Sequence, residues 1–429
     1  MNSAQREPVA VIGTGYVGLV TAAGFAELGN EVWCVDIDAD KIERLKRGEI
    51  PIYEPGLADS IAASAGRLHF GTDLAPALEH ARLLFVAVGT PPTYSGDADL
   101  SAVHAVVDAM PASDRHALVM KSTVPVGTGV SIRRTLDERG KSGFSYVSCP
   151  EFLKEGSALA DFRQPDRVVV GDVGDWAGDA VVQLYAPLQA PLVRTDIASA
   201  EMIKLAANAF LATKISFINE IANVCEETGA DVLEVARGMG LDQRIGQHFL
   251  RPGIGYGGSC FPKDVSALKQ LAGNSGYHFQ LLTAVIEVNE LQKRRVIAKL
   301  QKHLGTLVGK TVALLGLAFK ANTDDMREAS SLVLAARLQA DGARVRAYDP
   351  VAEDEARKLM TGVEFASSAL EAIEGADAIV VVTEWPEFAE LDWEQVARAT
   401  QGRVLIDGRN HVDAAAAQAA GFVYEGVGR

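Results

Sequence analysis

Short, continuously apolar runs alternate with helical patterns through the first 195 residues of the chain. Runs of this kind are typical of parallel strands that are buried on both faces. Strands that alternate with helices predict a doubly wound α/β sheet. The predicted strands cover residues 9–12, 31–35, 83–88, 118–121, 146–148, 167–170 and 192–194.

The pattern changes at about Ile197. From there to Glu227 the chain contains no Gly or Pro, and apolar residues recur at helical spacing. This predicts one helix of about 30 residues, ended by Gly229, which exceeds the usual length in globular proteins. Because one small domain cannot cover so much apolar surface, we expect a homodimer packed through residues 197–228. A second helical stretch is predicted over 280–304, and a Gly-rich loop over 251–264.

After Gly309 the α/β pattern returns, with strands predicted over 312–315, 344–348, 378–382 and 404–406. The expected fold class is therefore α/β, with two doubly wound domains joined by a long central helix and a helical middle domain. The expected domain boundaries are 1–196, 197–304 and 305–429.

Composition and charge exclude several classes of protein. The net charge of −15 argues against nucleic acid or an anionic membrane as a partner, because both require a positive surface. The four cysteines are far apart and form no CxxC pair, so neither a disulfide framework nor a zinc site is expected. The apolar stretch that follows the polar N-terminus, residues 9–12, is too short for a signal-peptide core, and no apolar run approaches the length of a membrane span. We expect a cytoplasmic protein that binds no metal.

The sequence Gly13-Thr-Gly15-Tyr-Val-Gly18 follows the first predicted strand and opens a helix. In this context the glycines form a tight turn, let backbone approach a pyrophosphate, and let helix pack on strand, which predicts a Rossmann-like dinucleotide site. Asp36 ends the second strand, where its carboxylate can bind ribose hydroxyls and would repel a 2′-phosphate. The expected cofactor is NAD, with Lys41 close to the same ribose.

Two further loops follow predicted strands at their carboxyl ends, where open α/β sheets bind ligands. One contains Thr90 and the other Thr123. Taken alone, each could be an ordinary polar turn.

Cys260 is the most informative cysteine, because it lies in a Gly-Gly-Ser loop beside Lys263 and Asp264. A nearby cation activates a thiol and glycines let a substrate approach. Cys260 is therefore a candidate nucleophile, with a packing thiol as the alternative. For Cys34, Cys149 and Cys225 we expect core packing.

Two pairs of polar residues have i, i+4 spacing. Lys204 and Asn208 share one face of the long helix and could hold an oxyanion or relay a proton, although a solvated face is the usual meaning of such a pair. Glu151 and Glu155 form a second pair if their segment is helical. One could activate water, or both could be acids at a helix N-terminus.

Taken together, these segments resemble the UDP-glucose/GDP-mannose dehydrogenase family over almost the whole chain. Each motif is modest, but their order is specific. The shared motifs are Gly-Tyr-Val-Gly at 15–18, Val-Gly-Thr-Pro-Pro at 88–92, Lys-Ser-Thr-Val-Pro-Val at 121–126, Pro-Glu-Phe-Leu-Lys-Glu-Gly at 150–156, Lys-Ile-Ser-Phe-Ile-Asn-Glu at 214–220, Gly-Gly-Ser-Cys-Phe-Pro-Lys-Asp at 257–264, Ala-Phe-Lys at 318–320, Asp-Asp-Met-Arg at 324–327 and Asp-Gly-Arg at 407–409.

The resemblance implies a four-electron oxidation of UDP-glucose to UDP-glucuronate through a thiohemiacetal and a thioester on Cys260. It implies that Glu151 activates water, that Lys204, Asn208 and Asp264 handle protons and the oxyanion, and that Thr123 helps to hold a water. The residues expected at NAD are Gly13, Gly15, Tyr16, Val17, Gly18, Asp36, Lys41, Thr90, Thr123, Glu155, Lys263 and Arg327. Those expected at the UDP-sugar are Glu151, Phe152, Leu153, Lys154, Glu155, Lys204, Asn208, Arg244, Phe249, Leu250, Arg251, Gly253, Gly257, Phe319, Lys320 and Arg409.

In the family, the long helix forms the core of a dimer, and Arg244 is similar to the arginine that enters the neighbouring subunit's site. Two other functions remain open. One is oxidation of GDP-mannose or a UDP-N-acetylhexosamine, although Phe-Leu-x-Pro-Gly at 249–253 looks more like the UDP-glucose branch. The other is an NAD-binding sensor without catalysis.

Overall fold

The computed structural model describes residues 6–429 and divides into two compact units. The first unit comprises the chain up to residue 207 together with residues 266–276, and the second comprises residues 208–265 and 277–429. The long helix α9, Ile197–Thr228, begins in the first unit and ends in the second. Its length confirms the prediction of one uninterrupted helix.

Within the described part of the first unit, eight strands form one sheet in the order β3-β2-β1-β4-β5-β6-β7-β8. The strands are β1 Val9–Ile12, β2 Val32–Val35, β3 Leu68–Gly71, β4 Leu83–Val86, β5 Ala117–Met120, β6 Ser145–Ser148, β7 Val168–Gly171 and β8 Leu192–Thr195. The helices are α1 Tyr16–Glu27, α2 Ala39–Lys46, α3 Leu57–Ala63, α4 Ala75–His80, α5 Ser101–Ala109, α6 Thr128–Glu138, α7 Ala158–Arg163 and α8 Trp176–Tyr185.

Strand β1 shows why this sheet is covered on both faces. Val9 and Val11 pack into one apolar cluster, and Ala10 and Ile12 pack into another. Successive strand side chains point to opposite faces, so an apolar run needs helices on both sides. This confirms the doubly wound architecture.

The far edge of the sheet departs from the prediction. Strand β7 pairs with β6 in the antiparallel direction, with Ser148 opposite Gly171. The last strand, β8, exposes Leu192 and Val193 by 46% and 40%. The expectation of burial on both faces is therefore wrong for β8, which lies at the edge of the sheet and whose successive exposed side chains show that neither face is fully covered there. Sequence analysis missed β3, whose Leu-His-Phe-Gly sequence contains no apolar run.

In the second unit, six strands form a parallel sheet in the order β11-β10-β9-β12-β13-β14 among the residues described. These are β9 Thr311–Leu315, β10 Arg344–Tyr348, β11 Val363–Phe365, β12 Ala378–Val381, β13 Val404–Asp407 and β14 Val423–Glu425. The remaining helices are α10 Val232–Gly240, α11 Phe261–Asn274, α12 Gln280–Gln292, α13 Arg295–Leu304, α14 Ser330–Ala340, α15 Glu353–Leu359, α16 Ala369–Ile373, α17 Pro386–Ala389, α18 Trp393–Ala399 and α19 Ala414–Ala419.

The predicted helical stretch 280–304 is confirmed at both ends, although it consists of two helices, α12 and α13, and no Gly or Pro marks the break between them. The Gly-rich loop ends at Cys260 rather than at residue 264, because α11 starts at Phe261. Pro262 fits the first turn of a helix, where the missing N–H has no intrahelical acceptor. Lys263 and Asp264 therefore lie in a helical turn directly after the candidate nucleophile. No helix among residues 6–429 is long and apolar enough to cross a bilayer.

Candidate active site

The glycine motif follows β1 in the first unit and has the geometry of a dinucleotide turn. Gly13 has a φ of +97°, and a Cβ at Gly18 would lie 1.9 Å from the Gly13 carbonyl oxygen. At Gly15, by contrast, a Cβ would meet nothing within 4 Å. Gly15 is the N-cap of α1 and makes no side-chain cap bond, so the first N–H groups of α1 receive no cap from this residue. Such a turn fits a pyrophosphate.

Asp36 follows β2 and accepts hydrogen bonds from the Thr14 N–H and hydroxyl, both at 2.8 Å. The Lys41 ammonium lies 3.2 Å from the same carboxylate. Burial alone would raise the pKa of Asp36, but the hydrogen bonds from Thr14 and the Asp38 N–H, together with Lys41, outweigh it and hold the pKa below its usual range. Asp36 therefore presents a carboxylate, which fits the ribose hydroxyls of NAD.

Ile37 is a residue that sequence reasoning missed. It directly follows Asp36 and is 97% exposed, which is rare for a large apolar side chain. An exposed apolar surface beside the Asp36 carboxylate fits the flat face of an adenine. Its position after the acidic residue was the available signal.

Glu151 and Lys204 form a buried ion pair in the first unit. The Lys204 Nζ lies 3.0 Å from Glu151 Oε1, and the two side chains are 4% and 5% exposed. The other carboxylate oxygen accepts the Leu153 N–H at 2.5 Å. Lys204 Nζ also lies 5.4 Å from the centre of the Phe152 ring, whose face Arg167 covers at 3.6 Å. The interpretation of Lys204 as part of a solvated helix face is therefore wrong.

The segment that carries Glu151 and Glu155 is a loop, because α7 starts only at Ala158. Because this segment is not helical, Glu151 and Glu155 do not share a helix face, and neither acid caps a helix. Lys154 is exposed and pairs with Asp161 at 3.1 Å.

Two polar loops after neighbouring strands are joined by a hydrogen bond. The Thr90 hydroxyl donates to the Thr123 carbonyl at 2.9 Å, and Thr90 is buried. The preceding Ser122 hydroxyl donates to the Val88 carbonyl at 2.7 Å. These bonds fix the loops after β4 and β5 to each other, at the same edge of the sheet as the glycine turn.

In the second unit, Asp264 is almost fully buried and binds two of the predicted site residues. Its carboxylate accepts a hydrogen bond from the Asn208 amide at 2.6 Å and from the Lys263 ammonium at 2.5 Å. Asp264 N–H in turn donates to the Cys260 carbonyl at 2.8 Å, inside the first turn of α11. The structure therefore links Asn208, Lys263, Asp264 and the backbone of Cys260 in one cluster.

Cys260 differs from the other cysteines in its exposure. Cys34, Cys149 and Cys225 are buried as predicted, and burial raises the pKa of the Cys34 thiol to about 12. Cys260 is only half-buried, and its sulfur lies 3.5 Å from the Ser259 hydroxyl. Among the four, it is the thiol that a ligand can approach.

Buried amide side chains hold the backbone of the Gly-rich loop. Asn219 accepts the Gly253 N–H at 2.8 Å, and Gln292 donates to the Gly253 carbonyl at 2.9 Å. The Asn289 amide binds both backbone groups of Tyr256, at 2.7 and 3.1 Å. Sequence analysis missed all three, because buried amides on helices give no signal without their partner. The loop is packed so closely that a Cβ at Gly257 would lie 2.2 Å from the Glu328 carbonyl oxygen.

A cavity of about 780 Å³ lies in the second unit, within the usual size range of small-molecule sites. Four residues predicted at the UDP-sugar line it, namely Phe249, Leu250, Arg251 and Arg409. The cavity is also lined by Arg237, His248 and His411, which sequence analysis did not select. Arg409 is fixed by the Val382 and Phe319 carbonyls, at 2.8 and 3.2 Å. Arginine side chains at a cavity fit an anionic group such as a diphosphate.

Three further cations that were predicted at NAD or at the UDP-sugar do not line this cavity, namely Lys320, Arg327 and Arg244. Lys320 lies over the Phe319 ring at 5.4 Å. The guanidinium of Arg327 binds Asp325 at 2.7 Å. Arg244 is 89% exposed and its guanidinium binds Asp242 at 2.6 Å.

Comparison with known proteins identifies the family. Residues 7–189 match the NAD-binding domain of the UDP-glucose/GDP-mannose dehydrogenase family, 198–291 its central domain, and 313–414 its UDP-binding domain. The chain belongs to this family. It is an NAD-dependent dehydrogenase, which confirms the predicted cofactor.

The similarity extends over whole chains. UDP-glucose 6-dehydrogenase TuaD of Bacillus subtilis (strain 168) is 48% identical over 98% of this chain and 93% of its own length. The structure of a UDP-glucose dehydrogenase from Pyrobaculum islandicum is 38% identical, with a TM-score of 0.93 over 100% of this chain and 99% of that one. The structure of a UDP-D-ManNAc dehydrogenase from Pyrococcus horikoshii is 28% identical, with a TM-score of 0.86 over 98% and 99%.

Proposed function

We propose that this protein oxidises UDP-glucose to UDP-glucuronate in two successive oxidations at one site. The observation that carries the proposal is Cys260, the half-buried thiol at the start of the helix that bears the buried Asp264. NAD supplies the hydride acceptor, and two NADH form for each UDP-glucose. The fold and the family set the cofactor, whereas the covalent step rests on Cys260.

The chemistry requires a nucleophile, because an aldehyde is a poor hydride donor. The C6 alcohol first loses a hydride and a proton to become an aldehyde. The Cys260 thiolate then adds to the aldehyde carbon and forms a thiohemiacetal, which loses a second hydride and becomes a thioester. Water cleaves the thioester, releasing the carboxylate and restoring the thiol.

We assign Asn208 and Lys204 to the developing oxyanion and to proton transfer, because amide and ammonium donors stabilise negative charge in a dry site. Both side chains are buried, and they lie four residues apart on α9. Asp264 engages the Asn208 amide and thereby sets its orientation. In this proposal the three residues serve both oxidations.

Glu151 is the proposed base for the hydrolysis, with Thr123 helping to hold the water. A general base must be an acceptor within hydrogen-bond reach of the water, and Glu151 is a buried carboxylate in the loop after β6. Glu155, Lys263 and Arg327 are proposed to contact NAD. The loop 249–257, Phe319, Lys320 and Arg409 are proposed to hold the UDP-sugar, which the 780 Å³ cavity and its arginines support.

The substrate is chosen over its alternatives on similarity. The UDP-glucose enzyme TuaD is 48% identical to this chain, whereas the UDP-D-ManNAc dehydrogenase is 28% identical. A sensor without catalysis would have no need for a buried Asn208–Asp264 pair beside an accessible thiol. Incubation with NAD and separate samples of UDP-glucose, GDP-mannose and UDP-N-acetylmannosamine distinguishes all three functions by NADH absorbance. UDP-glucose should give the highest kcat/KM, and no NADH from any sugar would overturn the proposal.

We further propose that each chain has three domains, at 1–196, 197–304 and 305–429. We also propose a homodimer in which Arg244 enters the partner's site. The second unit's part of α9 exposes Phe210, Phe217 and Val224, which are spaced i, i+7, i+14 and share one face of the helix. Arg244 is exposed and so is free to reach outward, provided that it exchanges Asp242 for the new ligand.

Mixed dimers test the reach of Arg244. Arg244→Ala and Cys260→Ala dimers should each be nearly inactive. After exchange of subunits in equal amounts, half of the dimers are mixed, and each mixed dimer has one intact site. Activity should then return to about a quarter of the wild-type value. No recovery, with mixed dimers demonstrated by mass, would contradict a contribution from the partner.

A further inference from the structure

A buried carboxylate, Glu54, lies between the glycine turn and the loop that carries Glu151. It belongs to the segment that precedes α3, and it is 6% exposed. Nothing in the sequence analysis selected it. All the segments that it joins belong to the first unit.

The partners of Glu54 come from two distant parts of the chain. The Tyr16 hydroxyl, in the first turn of α1, donates to Glu54 Oε2. The Gly156 N–H donates to the same Oε2 at 2.7 Å and to the Tyr16 oxygen at 2.9 Å. The Leu159 N–H lies 3.4 Å from Glu54 Oε1. Tyr16 therefore donates to Glu54 and accepts from Gly156 in a closed triangle.

The Tyr16 corner of this triangle keeps its proton in the neutral range. Burial, followed by the hydrogen bond to Glu54, raises the pKa of Tyr16, so the hydroxyl remains a donor. Gly156 has a φ of +81°, which favours glycine, so the loop turns sharply at the triangle.

The loop 150–156 has no regular secondary structure, so its path depends on a few contacts. At one end, Cys149 N–H is bonded to the Met120 carbonyl at 2.9 Å. At the other end the triangle holds Gly156, directly after Glu155. Between them lies Glu151, whose carboxylate must reach a water.

We propose that Glu54 is a positioning residue for hydrolysis, holding the loop 150–156 against Tyr16 so that Glu151 is correctly placed. The inference rests on the proposed role of Glu151. A displacement of about 1 Å can lower a rate by about 10²-fold. Glu54 touches neither substrate nor cofactor in this proposal, and its effect passes through the triangle.

The test is pre-steady-state NADH formation by Glu54→Gln. A glutamine keeps only one of the two acceptor oxygens and places an NH₂ group against either the Leu159 N–H or the two donors of the triangle, which loosens the attachment of the loop. We expect a burst of NADH followed by a steady rate at least about tenfold below that of the wild type. Because only a step after the covalent intermediate is slowed, the KM for UDP-glucose should fall together with kcat, and kcat/KM should change by less than about twofold. Tyr16→Phe, which removes a single oxygen, should show the same burst in milder form and covers the case in which Glu54→Gln fails to fold.

Glu27→Gln is a matched control. Glu27 lies at the other end of α1 and binds Arg163 of α7 at 2.6 Å and Ser60 of α3 at 2.5 Å, so it joins the same three helices. The Glu27→Gln substitution should lower the melting temperature of the protein, but NADH formation by this variant should show no burst. The proposal would be overturned if both Glu54→Gln and Tyr16→Phe lose the burst and the steady rate to the same extent. It would also be overturned if Glu27→Gln shows the same burst.

Glu151→Gln in the same assay distinguishes a failure of the role proposed for Glu54 from a failure of the role proposed for Glu151. A burst there, without one in the Glu54 and Tyr16 variants, removes the role of Glu54 and leaves the proposed function intact. The absence of a burst in Glu151→Gln removes the role of Glu151 and this inference with it.

Discussion

The Nζ atom of Lys204 lies 3.0 Å from Oε1 of Glu151, and both side chains are buried. The proposed mechanism gives these residues different steps, Lys204 in the oxidations and Glu151 in the hydrolysis. Because they form one ion pair, a substitution at either residue also affects the other. Variants must therefore be chosen so that the pair keeps a hydrogen bond.

Glu151→Gln is such a variant, because its amide oxygen can still accept from Lys204. General-base assistance is worth about 10²–10⁴-fold, so only the last step should slow by that amount. We expect a burst of NADH approaching two equivalents per site, followed by a slow steady rate. Mass spectrometry should detect an adduct on Cys260 during the slow phase. Slow turnover with neither burst nor adduct would move Glu151 to an earlier step or to a structural role.

Glu151→Leu should instead reduce stability, because Lys204 remains buried without this carboxylate. The expected loss in the free energy of unfolding is about 3 kcal/mol or more, measured by chemical denaturation. Adding Lys204→Met should restore part of the loss, since an apolar pair can replace a buried ion pair. Additive losses in the double variant would show that the pair contributes nothing to stability.

Asp36→Asn should weaken the preference for NAD over NADP by about tenfold or more in kcat/KM, because it removes a carboxylate that repels the 2′-phosphate. The low pKa of Asp36 keeps this charge present throughout the neutral range. Asp38→Asn is the control, since Asp38 caps α2 two residues further on. The Asp38→Asn variant should keep the wild-type preference for NAD over NADP. A wild-type preference in Asp36→Asn would contradict the role of Asp36.

Phe217→Glu should convert the proposed homodimer into a monomer, because it places a charge in the exposed apolar face of α9. Sedimentation velocity at micromolar concentration measures this. Leu359→Glu changes an equally exposed apolar residue on α15 and should leave the dimer intact. A wild-type protein that sediments as a monomer would remove the dimer proposal altogether.

The sequence predicted those features whose cause is local. In the turn at 13–18, Gly13 needs a positive φ and Gly18 packs against the Gly13 carbonyl, so both requirements arise within a few residues, and α9 follows from an unbroken helical pattern. The same holds for the three buried cysteines, of which Cys34 lies in β2, Cys225 in α9 and Cys149 directly after β6. Short edge strands such as β3 were missed, because a run of four mixed residues contains no periodicity to detect.

Features that depend on distant partners could not be predicted. Glu54 meets Gly156 across about 100 residues, and Asn289 meets Tyr256 across 33. A buried amide or carboxylate has the same local pattern as an exposed one, and only the tertiary contact shows which it is. The pairing of Lys204 with Glu151 is of this kind, since α9 alone suggested only Asn208 as its neighbour.

The amount of NADH formed from limiting UDP-glucose tests the central claim most directly. The wild-type protein should form two NADH per UDP-glucose and release UDP-glucuronate with little free aldehyde. Cys260→Ala should still bind NAD but form no UDP-glucuronate, because its aldehyde has no thiol to add to. One NADH per UDP-glucose in the wild type, or UDP-glucuronate from Cys260→Ala at the wild-type rate, would contradict covalent catalysis by Cys260.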